Sequence, residues 1–552
     1  MKSSRARLAM LVVLALGAAI ATIGMASSNS EELTIKGVVV DEDGPMAGVT
    51  VRVQATNNTA TTGEDGCFVL CGLTSTDEVT VTAWAEEYYV GWTTAVPGEE
   101  PITIMLKRYY TTDNPDYSWF SMEGAEGSKS CGQCMPLHYE EWLADAHSQS
   151  ALNPRFLTMY SGTDVHGNQS SLTRYGHSRD YGRFPLSPDL SKPYYGPGYK
   201  LDFPDTAGNC SACHVPAAAA KPGQAYAADP NELCGIESEG VFCEFCHKIG
   251  DVSLDPETGL PYPNMPGVLS MRLYRSEGEQ VLFFGTFDDV TRRVSYLPLE
   301  EESAFCAPCH FGAFWDTVIY DSYGEWLRSP YSDPETGKTC QDCHMPVTEA
   351  TYFALPEKGG FERPAGRIFS HRMPGAMDVK LLQEALTMTA TARVEESNLI
   401  VQVDITNDNT GHHVPTDSPL RHLILLVEAT DPEGNPLTQT NGTTVPEWGG
   451  VGDPEQGYYA GLPGKAYAKV LEELWTEISP SGAYWNPTRI VSDNRIAAFE
   501  TDTSTYAFAL PNDVKAHVEV TLIFRRAFIE LMDQKGWDVP DIVMAEQTLL
   551  VP

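Results

Sequence analysis

Between residues 33 and 108, apolar and polar residues alternate in short runs: "TIKGVVV", "GVTVRVQA", "CFVLCGL", "EVTVTAWA" and "PITIML". Gly- and Asp-rich turns, Asp-Glu-Asp-Gly and Gly-Glu-Asp-Gly, separate them. A period of two with turn signals at this spacing predicts a small Ig-like β-sandwich. From 109 to 384 the texture changes to loops rich in Pro, Gly, Tyr and Trp with short helical pieces. Continuous apolar periodicity is too sparse there for the length, as if something other than side chains filled the core. This segment is predicted to be irregular or mostly helical. From 385 to 552 alternation returns in "MTATARVEE", "LIVQVDITN", "HLILLVEAT", "YAFAL" and "HVEVTLIF". The reading is a C-terminal antiparallel β-sandwich closed by a helical piece around "RRAFIELMDQKGW". The fold class expected is therefore multidomain, with a β-sandwich at either end of an irregular middle.

Residues 1–26 stand apart. Lys2, Arg5 and Arg7 precede an apolar run from Leu8 to about Ala26, with Gly24 and Ala26 as small residues at a cleavage position. The segment reads as a signal peptide, or as an N-terminal anchor, since its length is near the roughly 20 residues a membrane span needs. Either way the expected location is exported: periplasmic, cell-surface or extracellular, with or without a membrane tether. The formal net charge of −38 excludes a general nucleic-acid binder, which needs a basic footprint. Acidity that keeps an exported protein soluble explains most of it, ahead of steering a basic partner.

The middle segment carries the chemistry. Four stretches read Cys-x-x-Cys-His: Cys210/Cys213/His214, Cys243/Cys246/His247, Cys306/Cys309/His310 and Cys340/Cys343/His344. With 13 Cys and 13 His in 552 residues, chance would supply roughly 0.01 such pentapeptides. In an oxidising compartment cysteines form disulfides, bind zinc or anchor haem. Zinc accepts Cys and His ligands but gives no reason for histidine to follow the second cysteine every time. Cys-x-x-Cys-His is the c-type haem attachment pattern, with two thioether bonds and the adjoining histidine as proximal iron ligand. Four haem c groups are expected.

A fifth is expected if Cys131 and Cys134 carry one, but Met135 follows that pair where histidine would stand. The site holds haem with Met135 or the nearby His138 on the iron, or haem with a single protein ligand, or it has decayed to a disulfide or free thiols. Two stretches echo each other, "YEEWLADAH" from Tyr139 and "YGEWLRSPY" from Tyr323, each placing Tyr and Trp three apart on one helix face. Cys67 and Cys71, four apart on one predicted strand, would have Cα atoms roughly 13 Å apart. A disulfide needs about 4.4–6.8 Å, so these two should not pair, and with Cys234 they leave an odd thiol.

Low-spin haem also needs a sixth ligand. Of the remaining histidines, His147 lies five residues past Trp142, His371 follows the last haem motif in "FSHRMPG", and His412 opens the loop "GHHVPT" after a strand. These three are the candidate distal ligands. His166 and His177 come next, whereas His422 and His517 fall in predicted strands and read as structural.

Two resemblances extend this. Residues 33–108 resemble the carboxypeptidase regulatory-like domain in the layout G-x-V-x-D…A-G-V-x-V…G-E-D-G-x-F-x-L-x-G-L, which implies an Ig-like or transthyretin-like module acting as spacer or adhesion domain. Roughly 120 to 552 is similar to multihaem c-type cytochromes of the cytochrome c554 type. The likeness rests on "CGQCMPLHYEEWLADAHSQSALNPRF", "CSACHVP", "CEFCHKIGDV", "CAPCHFGAFWDTVIYDSYGEWLRSPYSD", "CQDCHMP", "SHRMPGAMD" and "NDNTGHHVPTDSPLRH". It implies distal-ligand roles for His147, His371 and His412. Two positions depart from it: Met135, and Asp417, which replaces the final glycine of an Asn-x-x-x-Gly-His-x-x-Pro-Thr-Gly signature.

The function expected is electron relay through four or five closely spaced covalent haems, between a redox donor and an acceptor protein or an external acceptor. The alternative is a multihaem oxidoreductase acting on a small nitrogen compound at one anomalous haem. Met135 is neutral and soft, a good electron-transfer ligand, and no separate set of Arg, Tyr and His for holding an anion stands out. No catalytic residue is therefore assigned. Assembly of copies into an oligomer or filament is open at this level.

Overall fold

The computed structural model describes residues 33–276, 282–289, 294–511 and 514–552. The N-terminal segment read as signal peptide or anchor lies outside them. Among the described residues no helix is long and apolar enough to cross a membrane. The chain packs as two compact units, one running to Tyr109 and taking in a short piece from Phe287, the other holding the rest.

The first unit is the expected sandwich. Strand Leu33–Val40 lies between Cys67–Leu73, antiparallel to it, and Ile102–Met105, parallel to it. The second sheet runs Thr59–Thr61, Thr50–Val53, Val79–Trp84, Gly91–Ala95. Alternation does what the sequence implies: Val39, Val51, Phe68, Leu70, Val81 and Ile104 meet in one core. Phe68 and Leu70 point inward, so Cys67 and Cys71 share the outer face, exposed and unpaired.

In the second unit the C-terminal part is a two-sheet antiparallel sandwich. One sheet orders Thr387–Glu395, Asn398–Thr406, Thr501–Ala509 and Gln439–Asn441. The other orders Thr488–Asp493, Gly464–Glu473, His422–Thr430, Ala516–Arg525 and Ile542–Val551. Leu399, Val401 and Val403 face Leu423, Leu425, Val518 and Val520 between them. His422 is buried in its strand, its Nδ1 against the Leu420 carbonyl at 3.1 Å and its ring stacked on Phe528 at 4.9 Å. His517 is a strand residue as expected.

The middle corrects one expectation. It is irregular but not mostly helical: its longest helices, Pro136–Leu143 and Pro154–Ser161, have eight residues each. The density of Pro and Gly that marks the segment also stops helix propagation, since each proline removes a donor and clashes with the preceding turn.

One buried cation fastens the middle to the closing helix Ile529–Lys535. Lys535 is fully buried and its Nζ donates to the carbonyls of Thr158 at 3.0 Å, Thr163 at 2.9 Å and Pro197 at 2.5 Å. Replacing it leaves three buried acceptors unpaired, each costing about 1–3 kcal/mol. Lys535→Met is expected to lower unfolding free energy by about 3 kcal/mol, read from denaturant midpoints. A change within experimental error would show that the three bonds are not worth more than their replacement by water.

Candidate functional site

Each cysteine pair sits on a single helical turn. The fifth residue's N–H returns to the first cysteine's carbonyl, at 3.1 Å from His214 to Cys210 and 3.2 Å from His247 to Cys243. Such a turn places thiols i and i+3 on one face with the fifth residue beside them. Ala307–His310 and Cys340–His344 are also helical, the latter started by a Thr339/Asp342 capping box. Cys131 makes the same closure: Met135 N–H meets its carbonyl at 2.9 Å. Met135 therefore occupies the backbone position that histidine takes in the other sites.

Three pairs of histidines then face one another. Ring centres are 6.2 Å apart for His147 and His310, 6.3 Å for His247 and His371, and 6.5 Å for His344 and His412. A metal bonded to Nε2 of two opposed imidazoles at about 2.0 Å each holds ring centres about 6 Å apart. In each pair one member follows a cysteine pair and the other is one of the three candidate distal ligands. The Nδ1 atoms are engaged elsewhere: His247 on Phe284 O (2.7 Å), His344 on Pro374 O (2.7 Å), His412 on His413 O (2.9 Å) and His371 on Phe369 O (3.3 Å). His147 Nδ1 meets Asp145 Oδ1 at 2.6 Å, and Asp417 Oδ2 faces His310 Nδ1 at 3.6 Å. In a neutral imidazole whose proton sits on Nδ1, Nε2 is a free lone pair, the state a metal requires.

The other histidines behave differently. His214 presents Nδ1 to Ser150 O at 3.1 Å, but its ring neighbour is Phe156, stacked on its face at 3.8 Å, not a second imidazole. His138 is turned the opposite way, with Nε2 on Phe369 O at 3.2 Å and a buried Nδ1 that has no hydrogen-bond partner. Its ring packs edge-on against His371 at 4.6 Å. His166 and His177 are exposed.

Burial and charge set the local electrostatics. Burial pulls His371 down to about 3 and His344 to about 4, so both are neutral and able to donate a lone pair. Burial also lowers His247 and His310, but the carboxylates of Glu300 and Asp417 more than offset it, taking each to about 9.

The two sequence echoes prove to be a structural repeat. Tyr139 packs on Trp142 at 5.9 Å and Tyr323 on Trp326 at 5.7 Å. Each tryptophan Nε1 donates at 2.8 Å to a carbonyl two residues before a later cysteine pair, Val241 before Cys243 in one case and Lys338 before Cys340 in the other. Between Tyr and Trp both stretches carry a glutamate. Glu141 accepts from the Ser370 hydroxyl at 3.0 Å and the His371 N–H at 2.8 Å. Glu325 accepts from the Thr416 hydroxyl at 2.5 Å and the His413 N–H at 3.1 Å. Each glutamate thus fastens the loop that brings a histidine to face the second cysteine pair of its own repeat.

Cysteine contacts follow the same plan. The Cys131 thiol meets Cys243, and Cys306 meets Cys340. Buried Ser128 and Ser303, each three residues before a first cysteine, stand beside Cys243 and Cys340. In this correspondence Met135 matches His310. Cys309 also meets Cys213, which connects the His214 site to the Cys306 site. Glu141, Glu325, Ser128 and Ser303 carry no role in the sequence reading; the shared strings Ser-x-x-Cys-x-x-Cys and Tyr-x-Glu-Trp were the signal.

Glu325 is itself part of a buried network. Arg495 Nη1 donates to it at 2.7 Å and Arg495 Nη2 donates to Asp493 at 2.7 Å. Burial pushes the Glu325 carboxyl up, and Arg495 more than offsets this, holding it below its ordinary value. The ligand loop is also braced from within: Asn407 Nδ2 and the Thr410 hydroxyl both donate to His412 O, at 2.8 and 2.7 Å.

Cysteine turns with opposed imidazoles are thus carried on an irregular segment joined to a β-sandwich. Over 77% of this chain and 98% of the other, the structure resembles a penta-heme cytochrome c552 from Thermochromatium tepidum, with a TM-score of 0.52 and 18% identity. Residues 34–106 match the carboxypeptidase regulatory-like domain. No curated protein matches the sequence. A second solved structure, the Fcho1 Mu homology domain of Danio rerio, covers 31% of this chain and 44% of its own at 10% identity; its TM-score of 0.12 carries no argument.

Proposed function

We propose that this chain is an exported multihaem c-type cytochrome of the cytochrome c554 type, relaying electrons through five covalently bound haems. The observation that carries the reading is the trio of imidazole pairs spaced for a shared metal, each with one member directly after a cysteine pair. The residues fit haem c: thiols on one face of a turn, an adjoining ligand and a facing one, with Nδ1 engaged. Iron ligands would be His310 with His147, His247 with His371, and His344 with His412; His214 would ligate from one side, and Met135 would ligate at the first site.

Support for a fifth haem comes from the turn at Met135 and from the correspondence of the Cys131 and Cys306 sites, alongside the five haems named for the Thermochromatium protein. When bound, haem supplies a one-electron iron couple. The protein's part is to anchor five of them side by side. Thiol contacts put neighbouring anchors in touch in two groups, Cys131 with Cys243, and Cys213 with Cys309 and Cys306 with Cys340. The glutamates hold the facing histidines in place, and the N-terminal module acts as spacer or docking domain. Donor and acceptor are redox proteins or an external acceptor outside the cytoplasm.

The test is a spectrum and a turnover assay on the haem-loaded protein. Oxidised protein should be predominantly low-spin, with any high-spin fraction confined to the minority of sites that lack paired histidines. All haems should reduce together from one donor and reoxidise through one acceptor. Sustained turnover of nitrite or hydroxylamine would contradict the relay and favour the enzyme.

A further inference from the structure

The three histidine pairs differ in what stands behind their rings. His344 and His412 both present Nδ1 to backbone carbonyls, those of Pro374 and His413. His247 and His371 do likewise with Phe284 and Phe369, and one carboxylate, Glu300, comes within 3.4 Å of His247 Nδ1. His147 and His310 are backed by carboxylates on both sides. Asp145, 4% exposed, meets His147 Nδ1 at 2.6 Å and also accepts the His147 N–H at 2.7 Å.

Across the pair, Asp417 Oδ2 lies 3.6 Å from His310 Nδ1, and Asp417 Oδ1 is buried with no hydrogen-bond partner. Asp417 reaches that place through a left-handed backbone, φ 67°, which a β-carbon disfavours. It is also the residue that stands where the signature this loop resembles ends in glycine. A strained backbone that delivers a half-buried carboxylate, one oxygen facing His310 and the other buried without a partner, to a candidate metal ligand points to a role at that ligand.

A carboxylate accepting the Nδ1 proton makes imidazole a stronger donor, and its charge favours the more positive oxidised iron. Both effects lower the reduction potential. Resting on the haem reading above, we propose that Asp145 and Asp417 are positioning residues that make the haem at Cys306/Cys309 the lowest-potential of the three bis-histidine haems. The haem at Cys243/Cys246, with one carboxylate at an Nδ1, comes next, and that at Cys340/Cys343, with none at either Nδ1, is highest. The low-potential haem would then be the last to accept an electron and the first to give one up.

Ring angles supply the assignment. His147 and His310 are inclined at 72°, whereas the other pairs stand at 29° and 20°. Near-perpendicular imidazoles give a strongly anisotropic low-spin EPR signal, and near-parallel ones give an ordinary rhombic signal. The experiment is an EPR-monitored dithionite titration of the full-length holoprotein and of D417N, D417G and D145N, with haem content checked by intact mass.

In the unsubstituted protein the strongly anisotropic signal should be the last of the low-spin signals to disappear. In D417N and D417G it should disappear earlier, by at least a tenfold shift of its oxidised-to-reduced ratio, 59 mV for one electron, while the rhombic signals stay in place. D145N should move it in the same direction. A fully haem-loaded protein in which that signal goes first, or in which D417N and D145N leave it unmoved, overturns the ordering alone. A chain without covalent haem overturns the functional reading and the ordering with it.

Discussion

Glu325→Ala should convert one low-spin haem to high-spin and lower unfolding free energy by about 3–5 kcal/mol. The size follows from what Glu325 holds. Its carboxylate is buried and accepts from Arg495, the Thr416 hydroxyl and the His413 N–H. Removing it leaves a buried guanidinium with Asp493 as its remaining carboxylate, a His413 N–H without its acceptor, and a Thr416 hydroxyl that keeps the longer bond to Ser322 at 3.3 Å. The loop His412–Thr416 then loses its anchor, and His412 should move away from His344 and off the iron proposed for the pair. Glu325→Gln keeps an acceptor in place and should retain ligation at a smaller stability cost. The decisive readout is the spin-state change, because a purely structural glutamate would shift the unfolding midpoint without changing the spectrum at native temperature. Glu141→Ala should do the same to His371 and leave the His344 site low-spin.

Met135→His is the second large effect. The turn that closes Met135 N–H on Cys131 O is the turn of His214 and His247, so a histidine there should fold into an ordinary attachment motif. Axial-ligand identity moves haem potential over about 0.8 V, and methionine raises it relative to histidine. Exchanging thioether for imidazole should lower one midpoint by on the order of 0.1–0.2 V and leave the others in place. An unchanged set of midpoints would mean that Met135 does not ligate iron in the native protein.

The parts of this architecture set by local pattern could be read from the chain. Alternation at Phe68 and Leu70 or at Leu399, Val401 and Val403 marks a strand wherever it occurs. Cys-x-x-Cys-His is likewise a one-turn motif whose geometry needs nothing from afar. Which histidine faces which was not legible, because the partners come from opposite ends of the middle segment and, for His412, from a sandwich loop. The glutamate clamps were hidden for the same reason: Glu141 meets the backbone of His371 across 230 positions and Glu325 that of His413 across 88. A side chain bonding to a distant N–H leaves no periodic trace. Helix is scarcer in the middle than expected because Pro and Gly cut each helix to one or two turns.

His138 illustrates the limit of proximity in sequence. Three residues past Met135, it is the obvious substitute ligand, yet its Nε2 is turned to the Phe369 carbonyl and its ring lies against His371. Asp417 illustrates the reverse, a departure at a glycine position that reads as a blemish in the string and becomes the group facing His310 in the fold.

The most direct test of the five-haem relay is the intact mass of the mature, denatured protein. Denaturation removes any group held only by coordination, so what remains is covalent. Five haem additions to the polypeptide mass are expected. Four would remove haem from the Cys131/Cys134 site, and none would contradict the cytochrome reading itself.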